Sequence, residues 1–222
     1  MILLPGSDTI SAVMFDMDGT LVDSTAVVER TWHSFADRHG LDAARILEVS
    51  HGRPTGSTVA EFAPVGVDVN AETKRLTEQE VADTDGIVAV PGAGELLAGL
   101  RDGCWALVTS AGRALAERRM AAAGLPMPVV VVTADDVTRG KPDPEGYLTA
   151  AARLGVSVES IVVFEDAEAG VLAARAAGAR TVVVGAVSSG ATEGLERVAD
   201  LTGVVVGELP PPGGLSVRLS RT

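Results

Sequence analysis

Short, uninterrupted apolar runs alternate with amphipathic helical patterns along most of this chain. Five runs have this character, at residues 12–15, 106–108, 129–132, 161–164 and 181–184. Because they do not alternate with polar residues, they predict strands that are buried on both faces, as in a parallel sheet covered by helices. The helical patterns lie at residues 94–101, 114–123, 144–154 and 168–177. Strand–helix repetition at this spacing predicts an α/β fold with a doubly wound, Rossmann-like parallel sheet.

One long segment interrupts this rhythm, because residues 25–89 contain no convincing strand. Helical patterns occur there at residues 27–39, 42–49, 57–62 and 70–83. We therefore predict an α/β core over residues 1–22 and 90–222, and an inserted α-helical domain over residues 23–89. The Pro- and Gly-rich stretch at residues 210–214 predicts a loosely structured tail over residues 208–222.

The composition narrows the class of partner. The formal net charge of −12 argues against binding to nucleic acid or to an anionic membrane surface, since both need clustered Lys and Arg. Aromatic residues make up only 3%, so the core must be built from small and aliphatic side chains. The one cysteine, Cys104, cannot form an intrachain disulfide, and a cytoplasmic location is therefore expected.

A pair of carboxylates follows the first predicted strand, at Asp16 and Asp18, with Gly19 next. A carboxylate can attack phosphorus and form a mixed anhydride, which divides one difficult displacement into two easier ones. A second carboxylate can protonate the leaving oxygen and later deprotonate the attacking water. An ordinary Asp–Gly turn after a strand has the same pattern, so this pair alone leaves both interpretations open. The extension of the motif to Asp23 favours the catalytic one.

Candidate phosphate ligands follow the second and third predicted strands. Thr109 ends a strand immediately before a helix, where its hydroxyl and the free backbone N–H groups can hold a phosphoryl oxygen. Lys141 lies in a Gly- and Pro-rich turn of a chain that contains only two lysines against 16 arginines. Its compact ammonium suits a phosphate and the Asp16 carboxylate together. A plain helix N-cap and a solvated turn lysine are the alternatives.

Two adjacent acids, Glu165 and Asp166, follow the fourth predicted strand. Crowded carboxylates at the end of a sheet are costly unless a cation neutralises them, and Mg²⁺ with oxygen ligands does so. An acidic helix start that favours the helix dipole has the same pattern. However, all four motifs occur in order after separate strands, and the strand ends of a doubly wound sheet gather at one crevice. Together they predict a single site for phosphoryl transfer.

At these residues the chain resembles the haloacid dehalogenase superfamily, specifically its phosphatases with a helical cap inserted after the first motif. The resemblance is strongest to phosphatases of glycerol phosphate, 2-deoxyglucose-6-phosphate and related sugar and polyol phosphates, and it covers about residues 10–188. It is carried by the four motifs and by stretches at residues 50–53, 62–64, 90–93, 105–110, 133–137, 140–142 and 162–167. It implies a Mg²⁺-dependent phosphoric monoester hydrolase with an aspartyl-phosphate intermediate, and it equates residues 23–89 with the cap.

The resemblance also implies roles for the carboxylates. Asp16 is the nucleophile and a metal ligand. Asp18 is the general acid and base, and it binds the metal through its backbone carbonyl. Asp166 ligates Mg²⁺, and Glu165 contacts the ion directly or through water.

The remaining implied roles concern phosphate and substrate. Thr109 and Lys141 bind the phosphate, and Ser110 and Arg113 line the phosphate loop. Lys141 also offsets the charge at Asp16.

Substrate choice is expected in the cap, which closes over the site. The candidates there are His51 and Arg53 in a Gly-containing loop, and Arg53 is placed to touch the leaving group or its phosphate. The expected partner is a small phosphorylated metabolite, a sugar or polyol phosphate, and the expected state is a monomer or weak dimer.

Enzymes of the superfamily with other activities differ from this chain at single positions of their motifs. A dehalogenase lacks the second carboxylate, whereas Asp18 is present. A β-phosphoglucomutase uses a cap histidine where this chain has Val28, and a phosphonate hydrolase needs a Schiff-base lysine, but the cap's Lys74 comes late. A β-phosphoglucomutase-like phosphosugar mutase nevertheless resembles this chain closely and is the first alternative. A non-catalytic phosphosugar-binding protein, which would have lost Asp16 or Asp18, is the second.

Overall fold

Eleven strands and eight α-helices make up the part of the chain that the computed structural model describes, residues 2–3, 10–50, 52–208 and 214–220. The strands are β1 (Ile2–Leu3), β2 (Ala12–Phe15), β3 (Val22–Asp23), β4 (Val88–Ala89), β5 (Trp105–Val108), β6 (Val130–Val132), β7 (Ile161–Glu165), β8 (Arg180–Val184), β9 (Glu196–Val198), β10 (Val204–Glu208) and β11 (Leu215–Leu219). The helices are α1 (Thr25–His39), α2 (Ala43–Ser50), α3 (Thr55–Phe62), α4 (Val69–Ala82), α5 (Ala93–Ala98), α6 (Arg113–Ala122), α7 (Glu145–Leu154) and α8 (Glu168–Ala177). Single 3-10 turns occur at Ala134–Asp136, Val158–Ser160 and Gly190–Thr192.

Six of the strands form a sheet with the order β6-β5-β2-β7-β8-β9. Neighbouring strands are parallel throughout, and β2 lies between β5 and β7. The predicted α/β fold with a Rossmann-like parallel sheet is therefore confirmed. The sheet has one strand more than the apolar runs indicated, because β9 buries only Val198 and has no continuous apolar run.

Both faces of this sheet are covered by side chains from the flanking helices. Successive residues of β2 point to opposite faces. Phe15 joins a cluster with Leu107 and Met120 on one face, and Met14 joins a second cluster with Tyr147 on the other. Each buried side chain of this size contributes about 1.5–3 kcal/mol. The strand ends that carry the motifs are thus fixed by a core on both sides.

The inserted segment forms four helices, α1–α4, around a hydrophobic cluster of its own. The cluster contains Trp32, Phe35, Ile46, Val59 and Leu76. The expectation of no strand up to residue 89 is wrong at its end, because Val88–Ala89 pairs antiparallel with Val22–Asp23 where the chain leaves and rejoins the core. A two-residue strand is too short to produce an apolar pattern. The domain limits at residues 22/23 and 89/90 stay a prediction, and both fall at this ribbon.

The predicted loose tail is wrong for β11. This strand pairs antiparallel with β10 along its whole length, and β1 pairs with its other edge. Leu215, Val217 and Leu219 alternate along the strand and are buried in the main core cluster. The Pro- and Gly-rich stretch ends at Gly214, and the alternation that specifies a strand begins directly after it. Residues 209–213, 221 and 222 lie outside the described residues.

Candidate active site

The four motifs meet at the carboxyl edge of the parallel sheet, as the topology predicted. Asp16 and Asp18 follow β2, Thr109 follows β5, and Asp166 follows β7. These three strands are direct neighbours, so their ends share one crevice. All four residues line the same cleft, which the helical insertion borders from the other side.

An ion pair between Asp16 and Lys141 lies at the base of this cleft. The Lys141 ammonium donates to Oδ1 of Asp16, and both side chains are buried. It also donates to the backbone carbonyl of Val108 at 3.1 Å, which fixes the ammonium against the end of β5. The predicted pairing of these two residues is therefore present, across a sequence separation of 125 residues.

Glu165 also contacts the Lys141 ammonium. Its Oε1 accepts hydrogen bonds from Nζ of Lys141 at 2.6 Å and from the Tyr147 hydroxyl at 2.7 Å. Its Oε2 accepts from the backbone N–H groups of Asp166 and Ala167 at 3.1 and 3.3 Å. Four donors thus occupy this fully buried carboxylate. Tyr147 was missed by the sequence analysis, because a lone tyrosine in a helix has no local pattern that indicates this contact.

Asp166 approaches the first motif closely. Its Oδ1 accepts a hydrogen bond from Oγ1 of Thr20 at 2.9 Å. Gly19 has a φ of +83°, and a Cβ there would lie 2.0 Å from Oδ2 of Asp166. Only glycine allows the two loops to come this close.

Three carboxylates form a group that fits a metal ion. One oxygen from each of Asp16, Glu165 and Asp166 lies within 4.8 Å of the others. Burial raises the pKa of Asp166 well above its ordinary value, and the charges of Asp16 and Glu165 raise it further. Burial also raises the pKa of Asp16 to about 7, against the opposing pull of the Lys141 ammonium.

The Lys141 ammonium is thus one positive charge beside the three carboxylates of Asp16, Glu165 and Asp166. Burial alone would lower the pKa of Lys141, but Asp16 and Glu165 outweigh it and raise the pKa, so the lysine keeps its proton. A further positive charge would keep all three carboxylates ionised. Clustered oxygen donors of this kind suit a hard divalent cation such as Mg²⁺.

Asp18 is held by contacts that the sequence analysis did not find. Its Oδ1 accepts a hydrogen bond from Oγ of Ser24 at 2.7 Å, and its Oδ2 lies 2.8 Å from Nη1 of Arg119. The other guanidinium nitrogen, Nη2, donates to Oε1 of Glu80 at 2.7 Å. Arg119 belongs to α6 and Glu80 to α4, and no motif links helix residues 39 positions apart.

The predicted phosphate and cap residues differ in their relation to the cleft. Thr109, Ser110 and Arg53 line the cleft, and Oγ of Ser110 donates to the carbonyl of Gly52 at 3.0 Å. Nη2 of Arg53 donates to Glu61 at 2.9 Å. His51 lies outside the described residues.

Arg113 is not brought to the cleft, which corrects the expectation that it lines the phosphate loop. Its Nη2 donates to the carbonyl of Val131 at 3.2 Å and to Asp136 at 3.3 Å. Its backbone N–H donates to Asp135 at 2.8 Å. Acceptors at the end of β6 thus draw the guanidinium away from the site.

A family model described as "Hydrolase: haloacid dehalogenase-like hydrolase" matches residues 10–178. Hexitol phosphatase A of Escherichia coli (strain K12) is 45% identical over 177 residues, which cover 78% of this chain and 82% of the relative. Glycerol-1-phosphate phosphohydrolase 2 of Saccharomyces cerevisiae is 35% identical over 189 residues, with 80% and 76% covered. Among solved structures, a hydrolase from Pseudomonas syringae superposes with a TM-score of 0.72 and 29% identity, covering 86% of this chain and 94% of that one.

Proposed function

We propose that this chain, which belongs to the haloacid dehalogenase-like hydrolases and is a phosphoric monoester hydrolase, cleaves a small sugar or polyol phosphate with Mg²⁺ through an aspartyl-phosphate on Asp16. The observation that carries the proposal is the meeting of the Asp16, Asp18 and Asp166 carboxylates with the Lys141 ammonium at one sheet edge. This set contains a nucleophile, a proton carrier and the charges that a phosphoryl group needs.

The two aspartates of the first motif divide the chemistry. Asp16 attacks phosphorus, and the bond from phosphorus to the leaving oxygen breaks as Asp18 gives that oxygen a proton. Asp18 then takes a proton from a water molecule, which attacks the phosphorus of the aspartyl-phosphate and frees Asp16. Two carboxylates on one short loop after β2 are suited to these complementary roles.

The other residues position the phosphoryl group and balance its charge. The Lys141 ammonium and the Thr109 hydroxyl bind phosphoryl oxygens, and Lys141 also compensates Asp16. The carboxylates of Asp16 and Asp166 and the backbone carbonyl of Asp18 would hold Mg²⁺, which supplies further positive charge for the phosphoryl oxygens. Because the four donors to Glu165 occupy its carboxylate, we assign Glu165 to the positioning of Lys141.

The substrate class is supported by the relatives. Hexitol phosphatase A and glycerol-1-phosphate phosphohydrolase 2 are named for phosphates of polyols.

The mutase alternative is less well supported, because the apolar Val28 lines the cleft where that reaction uses a cap histidine. A phosphosugar mutase assay separates the two reactions. The proposed enzyme releases inorganic phosphate, whereas a mutase converts one sugar phosphate into its positional isomer.

The composition bears on the location of the enzyme. We place the enzyme in the cytoplasm, because its single cysteine suits a reducing compartment. We propose a monomer or weak dimer. None of the described helices is both long enough and apolar enough to span a membrane.

The test of the proposed function is Asp16→Asn. The amide cannot form the acyl-phosphate, so phosphate release from glycerol 1-phosphate and a panel of hexitol phosphates should fall by at least about 1,000-fold. Asp37→Asn is the matched control, because Asp37 is an exposed residue of α1, and it should retain wild-type turnover. Turnover near the wild-type level in Asp16→Asn would end the proposed mechanism.

A further inference from the structure

A buried guanidinium joins the first motif to the helical insertion. Arg119 lies on α6, beside the sheet, and its side chain is only 4% exposed. One terminal nitrogen lies 2.8 Å from Oδ2 of Asp18, and the other lies 2.7 Å from Oε1 of Glu80 on α4. The Glu80 side chain is only 6% exposed. Arg119 and Glu80 are thus withdrawn from solvent at the wall of the cleft, and the Asp18 side chain, which is 28% exposed, faces the cleft.

We propose that Arg119 is the positioning residue for Asp18, and that Glu80 anchors Arg119 when the helical insertion is docked on the core. The inference rests on the proposed function, since it concerns the proton that Asp18 gives to the leaving oxygen. Neither Arg119 nor Glu80 reacts with the phosphate. Their effect is exerted through the orientation of the Asp18 carboxylate.

The contacts of Asp18 are suited to this role. Its Oδ1 is held by the hydroxyl of Ser24 and its Oδ2 by Arg119, so both ends of the carboxylate have a partner and its rotation is restricted. Proton transfer requires the donor oxygen within hydrogen-bond reach of the leaving oxygen, and small misplacements are costly. Without Arg119, the Ser24 hydroxyl would be the one remaining partner of the Asp18 carboxylate among the residues that the structure describes.

Glu80 accounts for the position of Arg119. A planar guanidinium presents two terminal nitrogens in fixed directions, and here each is used by a different carboxylate. Removal of a buried cation that two acids share would leave both acids without their partner, so the cluster forms as a unit. Because Glu80 comes from α4, that unit is complete only with the insertion in place. In this proposal, docking of the insertion on the core therefore also orients the Asp18 carboxylate.

The leaving group of the substrate provides the test. A polyol leaves as an alkoxide that needs a proton, whereas nitrophenolate leaves unaided. Phosphoenzyme formation from glycerol 1-phosphate should therefore depend on Asp18 positioning, and formation from p-nitrophenyl phosphate should not. A change that merely loosened the fold would slow both reactions equally.

The experiment measures single-turnover release of glycerol and of nitrophenolate by the full chain with Mg²⁺. In Arg119→Lys, one ammonium nitrogen replaces two terminal nitrogens that lie in fixed directions, so it cannot keep both contacts in their present geometry. We expect the glycerol-to-nitrophenolate rate ratio to fall about 10- to 100-fold. In Glu80→Gln, which keeps the shape and one acceptor oxygen, the ratio should fall about 3- to 10-fold. The exposed matched controls Arg118→Lys and Glu78→Gln, on the same two helices, should leave it within about twofold of wild type.

Each outcome decides one point. An unchanged ratio in a folded Arg119→Lys overturns the positioning role, and an unchanged ratio in Glu80→Gln overturns the anchoring role. If Arg119→Lys does not fold, the Glu80→Gln variant decides the inference by itself. Failure of the wild-type chain to release either product would instead refute the proposed function, and the inference would fall with it.

Discussion

The ammonium Nζ of Lys141 lies 2.6 Å from Oε1 of Glu165, although one residue follows β6 and the other ends β7. The acid is fully buried and the lysine nearly so. Glu165 therefore fixes the cation that contacts the proposed nucleophile, Asp16, and this relationship separates its role from that of its neighbour Asp166.

Glu165→Gln should lower turnover without weakening metal activation. The amide loses the ionic contact to Lys141, so we expect kcat to fall about 10- to 100-fold, as for residues that orient an active-site group. The Mg²⁺ concentration for half-maximal activity should change by less than about threefold. The matched variant Asp166→Asn should raise that concentration by about tenfold or more. If both variants weaken Mg²⁺ activation alike, Glu165 is itself a ligand.

Mg²⁺ should stabilise the wild-type fold as well as activate it. The ion relieves repulsion among Asp16, Glu165 and Asp166, and a ligand at about 100 times its dissociation constant adds about 2.7 kcal/mol to the free energy of unfolding. Thermal unfolding with and without EDTA measures this effect, and Asp166→Asn should show little of it. Full phosphatase activity in EDTA, or equal stabilisation of the variant, would contradict the site.

Arg53→Ala should change substrate preference more than phosphate binding. Arg53 reaches the cleft from the helical insertion, whereas Thr109 and Lys141 belong to the core. The ratio of kcat/KM between glycerol 1-phosphate and hexitol phosphates should shift by about tenfold, as expected for one pocket contact. The inhibition constant of free phosphate should stay within about threefold. Glu61→Gln, which removes the charge of the Arg53 partner, tests whether that pairing limits the effect.

Tyr147→Phe should destabilise the fold. The substitution keeps the ring within its hydrophobic cluster but removes the hydroxyl that donates to Glu165 at 2.7 Å. Loss of a buried hydrogen bond to a charged group should lower the free energy of unfolding by about 1.5–3 kcal/mol. Urea denaturation monitors the change, and equal stability of variant and wild type would show that the contact contributes nothing.

The helical insertion should lose stability in acid through Glu72. The hydrogen bond from Arg75, with further contacts from His39 and Arg38, lowers the pKa of Glu72 from 4.5 to about 2. Because the folded-state value is the lower one, this stabilisation is present in full above pH 4.5 and is lost as the pH falls towards 2.

Glu72→Gln removes this contribution. The variant should be less stable than the wild type at neutral pH, and the difference should shrink as the pH is lowered to about 2. Glu78→Gln is the control, since the side chain of Glu78 on the same helix is 67% exposed, and it should show a small difference throughout. Urea midpoints at a series of pH values measure both, and a constant difference for Glu72→Gln would contradict the assignment.

Features with a local pattern were predictable from the chain. The strand 12–15 and the helix 168–177 were expected at the limits that the structure shows, because apolar periodicity and a following turn or glycine specify them. Asp16, Asp18 and Asp166 were found because each lies in the first residues after a strand, and parallel strands bring their carboxyl ends together. The pairing of Lys141 with Asp16 followed from charge balance.

Features that depend on distant partners needed the tertiary structure. Arg119 and Glu80 lie on helices of different segments, and no spacing rule brings them together. Arg113 has the motif position of a phosphate ligand but finds nearer acceptors at the end of β6.

The sequence by itself thus determined the fold class and the proposed reacting groups of this protein, since backbone periodicity and strand-end position are local properties. Only the tertiary structure decided which charged side chains orient those groups. The energy of a buried ion pair depends on distance and desolvation, and both are defined only after the chain has packed.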